Sequence, residues 1–192
     1  MIYFHRATLL LVFLFGLGAC VSVIDATTRE PIKPEPRERT FGIYIDDQRI
    51  ETTVAVNLRK ASESLRSARI SVISFNGVVL LVGQVNSPDD RERATQIAQA
   101  VQNVRQVHNE LTVSGDISLL ASTNDSWLTT KIKTKYAFRG DVNAGQIKVV
   151  TEAGTVFLLG LITREEADIA VEVARNTRGV QKIVRVFEYV NP

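Results

Sequence analysis

The chain has 192 residues, is 45% apolar and 23% charged, and carries a formal net charge of +2. That balance is globular, and it excludes both a disordered chain and a polycation offered as a whole to nucleic acid. The length suits one ordinary domain or two small ones, and a single Cys excludes an internal disulfide.

Residues 1–19, MIYFHRATLLLVFLFGLGA, set His5 and Arg6 before an apolar run from Ala7 to Leu17, then small residues. This layout predicts a secretory signal peptide and is too short for a membrane span. Leu17-Gly18-Ala19-Cys20 resembles the lipobox of bacterial lipoproteins. The resemblance implies that Cys20 is lipidated and becomes the mature N-terminus. It also implies outer-membrane sorting, because Val21 and Ser22 stand where an inner-membrane retention signal carries Asp. Several acyl chains, at about 0.8 kcal/mol per buried CH₂, anchor a protein stably. The competing reading is an uncleaved anchor helix. Residues 20–45 then read as a lipidated N-terminus and an extended tether, since Pro31, Pro34 and Pro36 among mixed charges suit neither helix nor sheet.

Two copies of one unit follow. Gly77 matches Gly154, Gly83 matches Gly160, and Ile50 and Val54 match Leu128 and Ile132. With one residue fewer in the second copy, Ala94, Ala98 and Val104 match Ala170, Ala174 and Val180. The duplicated unit is about 65 to 70 residues long. In the first copy, Ile50, Val54, Leu58, Ala61 and Leu65 form a helical stripe behind the cap candidates Asp46 and Asp47. RISVISF and VVLLVGQV flank Asn76-Gly77, a hairpin signal. Ser87-Pro88-Asp89-Asp90 opens a second helix with an apolar face of Ala94, Ile97, Ala98 and Val101. A last strand over roughly 105–113 alternates Val107, Leu111 and Val113 with polar residues. In the second copy Thr163 and Glu166 form a capping box and Gly179 reads as a helix C′ residue. The expected fold is α+β: two tandem α-β-β-α-β units, each a small three-stranded mixed sheet packed on two helices. They occupy 46–114 and 124–192, joined by a linker over 115–123.

This unit resembles the BON domain, a small bacterial α/β module with a Gly in its second strand, where Gly83 and Gly160 stand. Lipobox, tether and two such repeats together resemble the dual BON-domain outer-membrane lipoproteins, most densely at NDSWLTTKI and EAGTVFLLGLITREEA.

No catalytic constellation is legible. His108 is the only His after the signal peptide and has no Cys or second His with which to hold a metal. The paired carboxylates at 89–90 and 165–166 sit at helix starts, where the helix dipole accounts for them. No cofactor, metal or nucleic-acid partner is expected, and the protein reads as a monomeric non-enzyme.

The stretch NDSWLTTKIKTKYAFRG, residues 124–140, carries the only Trp. On a helix, Leu128, Ile132 and Tyr136 form the core stripe. Trp127, Lys131, Thr134 and Phe138 form a second stripe about 120° away, flanked by Thr130 and Lys135. Aromatics beside lysines are an interfacial pattern, and each basic residue there contributes about 1 kcal/mol against anionic lipid. The stretch has four basic residues and one acidic, whereas Asp46 to Arg69 has five and four and no aromatic. The resemblance implies binding of anionic phospholipids, phosphatidylglycerol and cardiolipin, through this helix, with a role in envelope integrity and enrichment at division sites. The match DSWLTTKI carries that role onto Trp127, Thr130 and Lys131; Thr134, Lys135 and Phe138 follow from helical geometry. Three other readings stay open: Trp127 packs between the repeats, the lysines are a solvated face, or the helix docks a protein. In the last case the repeats form an adaptor, for example for the outer-membrane β-barrel assembly machinery, with lipid only as anchor.

Overall fold

The computed structural model describes residues 40–114 and 120–191. The signal peptide, Cys20 and the tether up to residue 39 lie outside the described residues, as do 115–119 of the expected linker. Repeat one runs α1 (Phe41–Ala61), α2 (Glu63–Ser67), β1 (Arg69–Phe75), β2 (Val78–Val85), α3 (Pro88–Gln99) and β3 (Gln106–Val113). Repeat two runs α4 (Leu120–Ala137), a 3₁₀ turn (Ala144–Gln146), β4 (Ile147–Glu152), β5 (Thr155–Ile162), α5 (Arg164–Arg175) and β6 (Lys182–Tyr189). In each repeat a hairpin is followed by a helical crossover that lays the third strand parallel to the second, giving the orders β1-β2-β3 and β4-β5-β6. The α+β class and the mixed sheets are those expected.

Each sheet buries both faces. Val79, Leu81 and Val85 of β2 meet Ile50, Val54, Leu58, Leu65, Ala94 and Ala98 of the helices above them. Val156, Leu158 and Ile162 of β5 meet Leu128, Ile132, Tyr136, Ala170 and Ala174 in the same way. The alternate residues turn the other way: Phe75, Val78, Leu80 and Val82 pack directly against Phe157, Leu159 and Val186 of the other repeat. The two repeats therefore form a four-layer α/β/β/α sandwich, in which β2 and β5 are continuous apolar runs. Polar pairs border the shared core. Arg69 meets Glu152 at 3.1 Å. Lys148 meets Glu51 at 2.7 Å and donates to Ser74 O at 3.1 Å. Arg105 pairs with Glu188.

Two local expectations need correction. The first helix starts at Phe41, capped by Thr40 Oγ1, which accepts from Ile43 N at 3.4 Å. Its opening turn therefore comes from the stretch read as tether, and it does carry aromatics, Phe41 and Tyr44. Gly179 is not a C′ residue: Asn176 caps α5, and Gly179 lies in the following turn with φ 107°. At the end of β3, Val113 is 48% exposed.

Asp47 does not cap its helix either. It sits inside α1, buried, and holds the adjacent hairpin. Its Oδ1 accepts from Ser74 Oγ at 2.6 Å and Gly77 N at 3.0 Å, and its Oδ2 accepts from Asn76 N at 2.8 Å. Both turn residues are left-handed, with φ 54° and 76°, as a two-residue I′ hairpin requires. Asp125 does the same in repeat two, accepting from Ala153 N at 2.7 Å and Gly154 N at 2.9 Å. There an Ala takes φ 48°, a conformation costing about 1–2 kcal/mol that the carboxylate offsets. Asp47→Ala is expected to remove about 2–3 kcal/mol of stability by stranding buried N–H donors. Asp46→Ala, whose exposed carboxylate lies 3.6 Å from Arg49, should stay within about 0.5 kcal/mol. Urea midpoints of the two variants compare them directly.

Candidate functional site

The site is the outer face of α4. Its core face is complete: Leu128 and Ile132 are fully buried, and the Tyr136 hydroxyl donates to Ala170 O at 2.8 Å. Burial pushes that phenol well above its ordinary value, so it remains a protonated donor. Nothing on this face leaves room for Trp127.

Trp127 is 55% exposed and Phe138 87% exposed. The apolar core shared by the repeats is built from strand residues and does not include Trp127; residues 115–119 of the expected joint lie outside the described residues. Lys131 Nζ stands 4.5 Å from the Trp127 ring centroid, a cation–π pair one helical turn apart. Thr134 is exposed on the same stripe. Phe138 lies one residue beyond the helix, its N–H still donating to Thr134 O at 3.3 Å. Thr130 flanks the stripe, its hydroxyl donating to Ser126 O at 3.0 Å. The structure thus brings Trp127, Thr130, Lys131, Thr134 and Phe138 onto one accessible surface.

Lys135 is different. It is half-buried, and Nζ donates to Asn176 O at 3.0 Å and Thr177 Oγ1 at 2.8 Å. It closes the C-terminal end of α5, where orphan carbonyls and the helix dipole favour a cation. Arg139 is occupied too, forking onto Asp141 at 2.8 and 2.6 Å. That bond holds the Asp141 carboxyl below its usual value and the guanidinium above its own. Lys131 has no carboxylate partner of this kind among the described residues. Lys135→Met is accordingly expected to lower unfolding stability by about 1 kcal/mol and to leave the salt dependence of any anion binding unchanged. Lys131→Met should do the opposite. Urea titration beside binding at two salt concentrations separates them.

The corresponding stripe of α1 is Arg49, Thr53, Val56 and Lys60, which lacks the aromatic pair. Val56 on that stripe is 41% exposed, and the more exposed apolar residues of α1 lie elsewhere: Phe41 at 79%, Tyr44 at 50% and Ile45 at 42%. Sequence reasoning missed them because it placed the helix start too late; Thr40 was the available signal.

One carboxylate of each pair is engaged in structure. Asp90 Oδ2 accepts from Ser64 Oγ at 2.6 Å and Ser87 Oγ at 2.9 Å. Glu166 completes the capping box with Thr163. Among the described residues, no group of three His, Cys, Asp or Glu could hold a metal, and no helix is long and apolar enough to cross a membrane.

The pattern of the BON domain matches residues 46–115 and 124–191. Over 175 residues the chain is 39% identical to the outer membrane lipoprotein DolP of Haemophilus influenzae, covering 91% of each protein. It is 40% identical over 160 residues to a 21 kDa hemolysin of Actinobacillus pleuropneumoniae, covering 83% of this chain and 80% of that one. The osmotically-inducible protein Y of Escherichia coli is 30% identical over 145 residues, covering 74% and 72%.

Proposed function

The chain belongs to the BON-domain family, as a dual BON-domain outer-membrane lipoprotein, and on that premise we propose that it binds anionic phospholipids through the outer face of α4. In this reading Cys20 carries the lipid anchor, the folded repeats face the periplasm, and the protein supports envelope integrity, with enrichment at division sites. In this reading it is not an enzyme: Asp90 and Glu166 of the carboxylate pairs are engaged in structure, and none of the three relatives is named as one.

The observation that carries the reading is Trp127, 55% exposed with Lys131 stacked on it, on a helix whose core face is already satisfied. An indole at headgroup depth and a cation beside it suit phosphatidylglycerol or cardiolipin. The lipid anchor alone gives attachment; the helix adds sensitivity to headgroup charge.

The test is co-sedimentation of residues 37–192, a compact unit with its own apolar cores, with neutral and anionic vesicles. The reading requires sedimentation with anionic vesicles only, weakening as salt rises through the screening range. Equal sedimentation with neutral vesicles would overturn it.

A second reading draws on exposed Phe41 and Ile45 at the start of α1. It makes the repeats a protein-binding adaptor for outer-membrane assembly components such as the β-barrel machinery. Binding of that kind persists in detergent without anionic lipid.

A further inference from the structure

Beside Phe138, α4 and α5 part to form an open groove of about 430 Å³, lined by Thr134, Lys135, Phe138 and Arg139 on one side and Glu172, Val173 and Asn176 on the other. Its floor is Val173, continuous with the core of repeat two. Thr134 and Phe138 belong both to this groove and to the exposed stripe, so the groove opens onto the surface proposed to meet lipid.

The charges around it cancel. Arg139 is forked onto Asp141 and also feels Glu172. Lys135 is spent on Asn176 O and Thr177 Oγ1 at the end of α5. The groove is therefore a poor anion site. What remains is the Val173 floor, the Phe138 wall and the methylene stems of Lys135, Arg139 and Glu172, an apolar lining of the size of small-molecule sites. Trp127 lies about 16 Å and Lys131 about 10 Å back from Phe138, at 1.5 Å per residue.

We propose that this groove takes one acyl chain of an anionic phospholipid. The inference rests on the lipid-facing reading of α4 and divides its labour. Trp127 and Lys131 meet headgroups, and the Phe138 end accommodates a chain drawn up from the leaflet. Docked there, a chain shields Phe138 and the floor at Val173 from water, a gain proportional to the apolar area covered.

The experiment is amide NMR of residues 37–192 titrated with dihexanoyl phosphatidylglycerol kept monomeric, and separately with its chain-free headgroup, glycerophosphoglycerol. The chained lipid should shift the amides of Glu172, Val173 and Asn176 saturably, and the headgroup alone should not. Asn176→Phe fills the groove while keeping the backbone carbonyl that Lys135 uses. It should weaken the monomeric lipid by about tenfold yet still sediment with anionic vesicles through Trp127 and Lys131. Equal shifts from the headgroup alone, or no effect of Asn176→Phe, would overturn the groove while leaving the surface reading intact. Saturable shifts at α5 without vesicle sedimentation would keep the groove and overturn the surface reading.

Discussion

Trp127→Glu is expected to weaken binding to phosphatidylglycerol vesicles roughly a hundredfold while leaving the protein folded. The loss has two parts. Withdrawing a large aromatic from the interface costs about 2 kcal/mol, and setting a carboxylate against an anionic surface costs about 1 kcal/mol more. Each 1.4 kcal/mol is about a factor of ten. Folding should change little. The site is 55% exposed, and a glutamate placed one turn before Lys131 forms a favourable helix pair in place of the cation–π contact. Co-sedimentation beside circular dichroism separates the two quantities. Loss of the far-ultraviolet signal would mean that Trp127 is structural after all.

The second large effect is on folding. Gly83→Ala should cost roughly 4 kcal/mol or more. Gly83 adopts φ 121°, and an added Cβ would stand 2.0 Å from Arg69 O, a backbone atom of the paired strand. Neither strain nor clash can be relieved without breaking the pairing of β1 with β2. Gly160, its counterpart, lacks the unusual φ, and its Cβ would come 2.7 Å from Gln146 O. Gly160→Ala should therefore cost less. Because Leu80 and Val82 of β2 lie in the core shared with Phe157 and Leu159, damage at Gly83 should reach repeat two. Denaturant unfolding is expected to be a single transition in the wild type, with the Gly83 variant losing signal from Trp127 in repeat two as early as from repeat one.

Much of this architecture was legible in the residues. Asn76-Gly77 announced a hairpin, Ser87-Pro88 a helix start, and Thr163 with Glu166 a capping box, because each works through contacts within a few residues. What escaped depends on contacts distant in sequence. Asp47 looks like a cap beside Asp46, yet its partners lie 27 to 30 residues on. Ala153-Gly154 carries no obvious turn signal; Asp125 makes the turn. VVLLVGQV was legible as a hairpin strand, but its burial on both faces was not, because the second face is covered by strands of the other repeat. On α4 the stripe of Trp127, Lys131, Thr134 and Phe138 followed from helical periodicity alone. Lys135 did not, because a side chain at the edge of a stripe can turn either way. Here it turned to the end of α5.

The most direct measurement is Trp127 fluorescence of residues 37–192 on vesicles whose acyl chains carry bromine. As the only Trp, it reports one place. A blue shift and quenching are expected with phosphatidylglycerol or cardiolipin, none with phosphatidylcholine, and recovery at high salt. An unshifted, unquenched Trp127 on anionic vesicles at low salt, in protein that remains folded, would contradict the lipid-facing reading of α4.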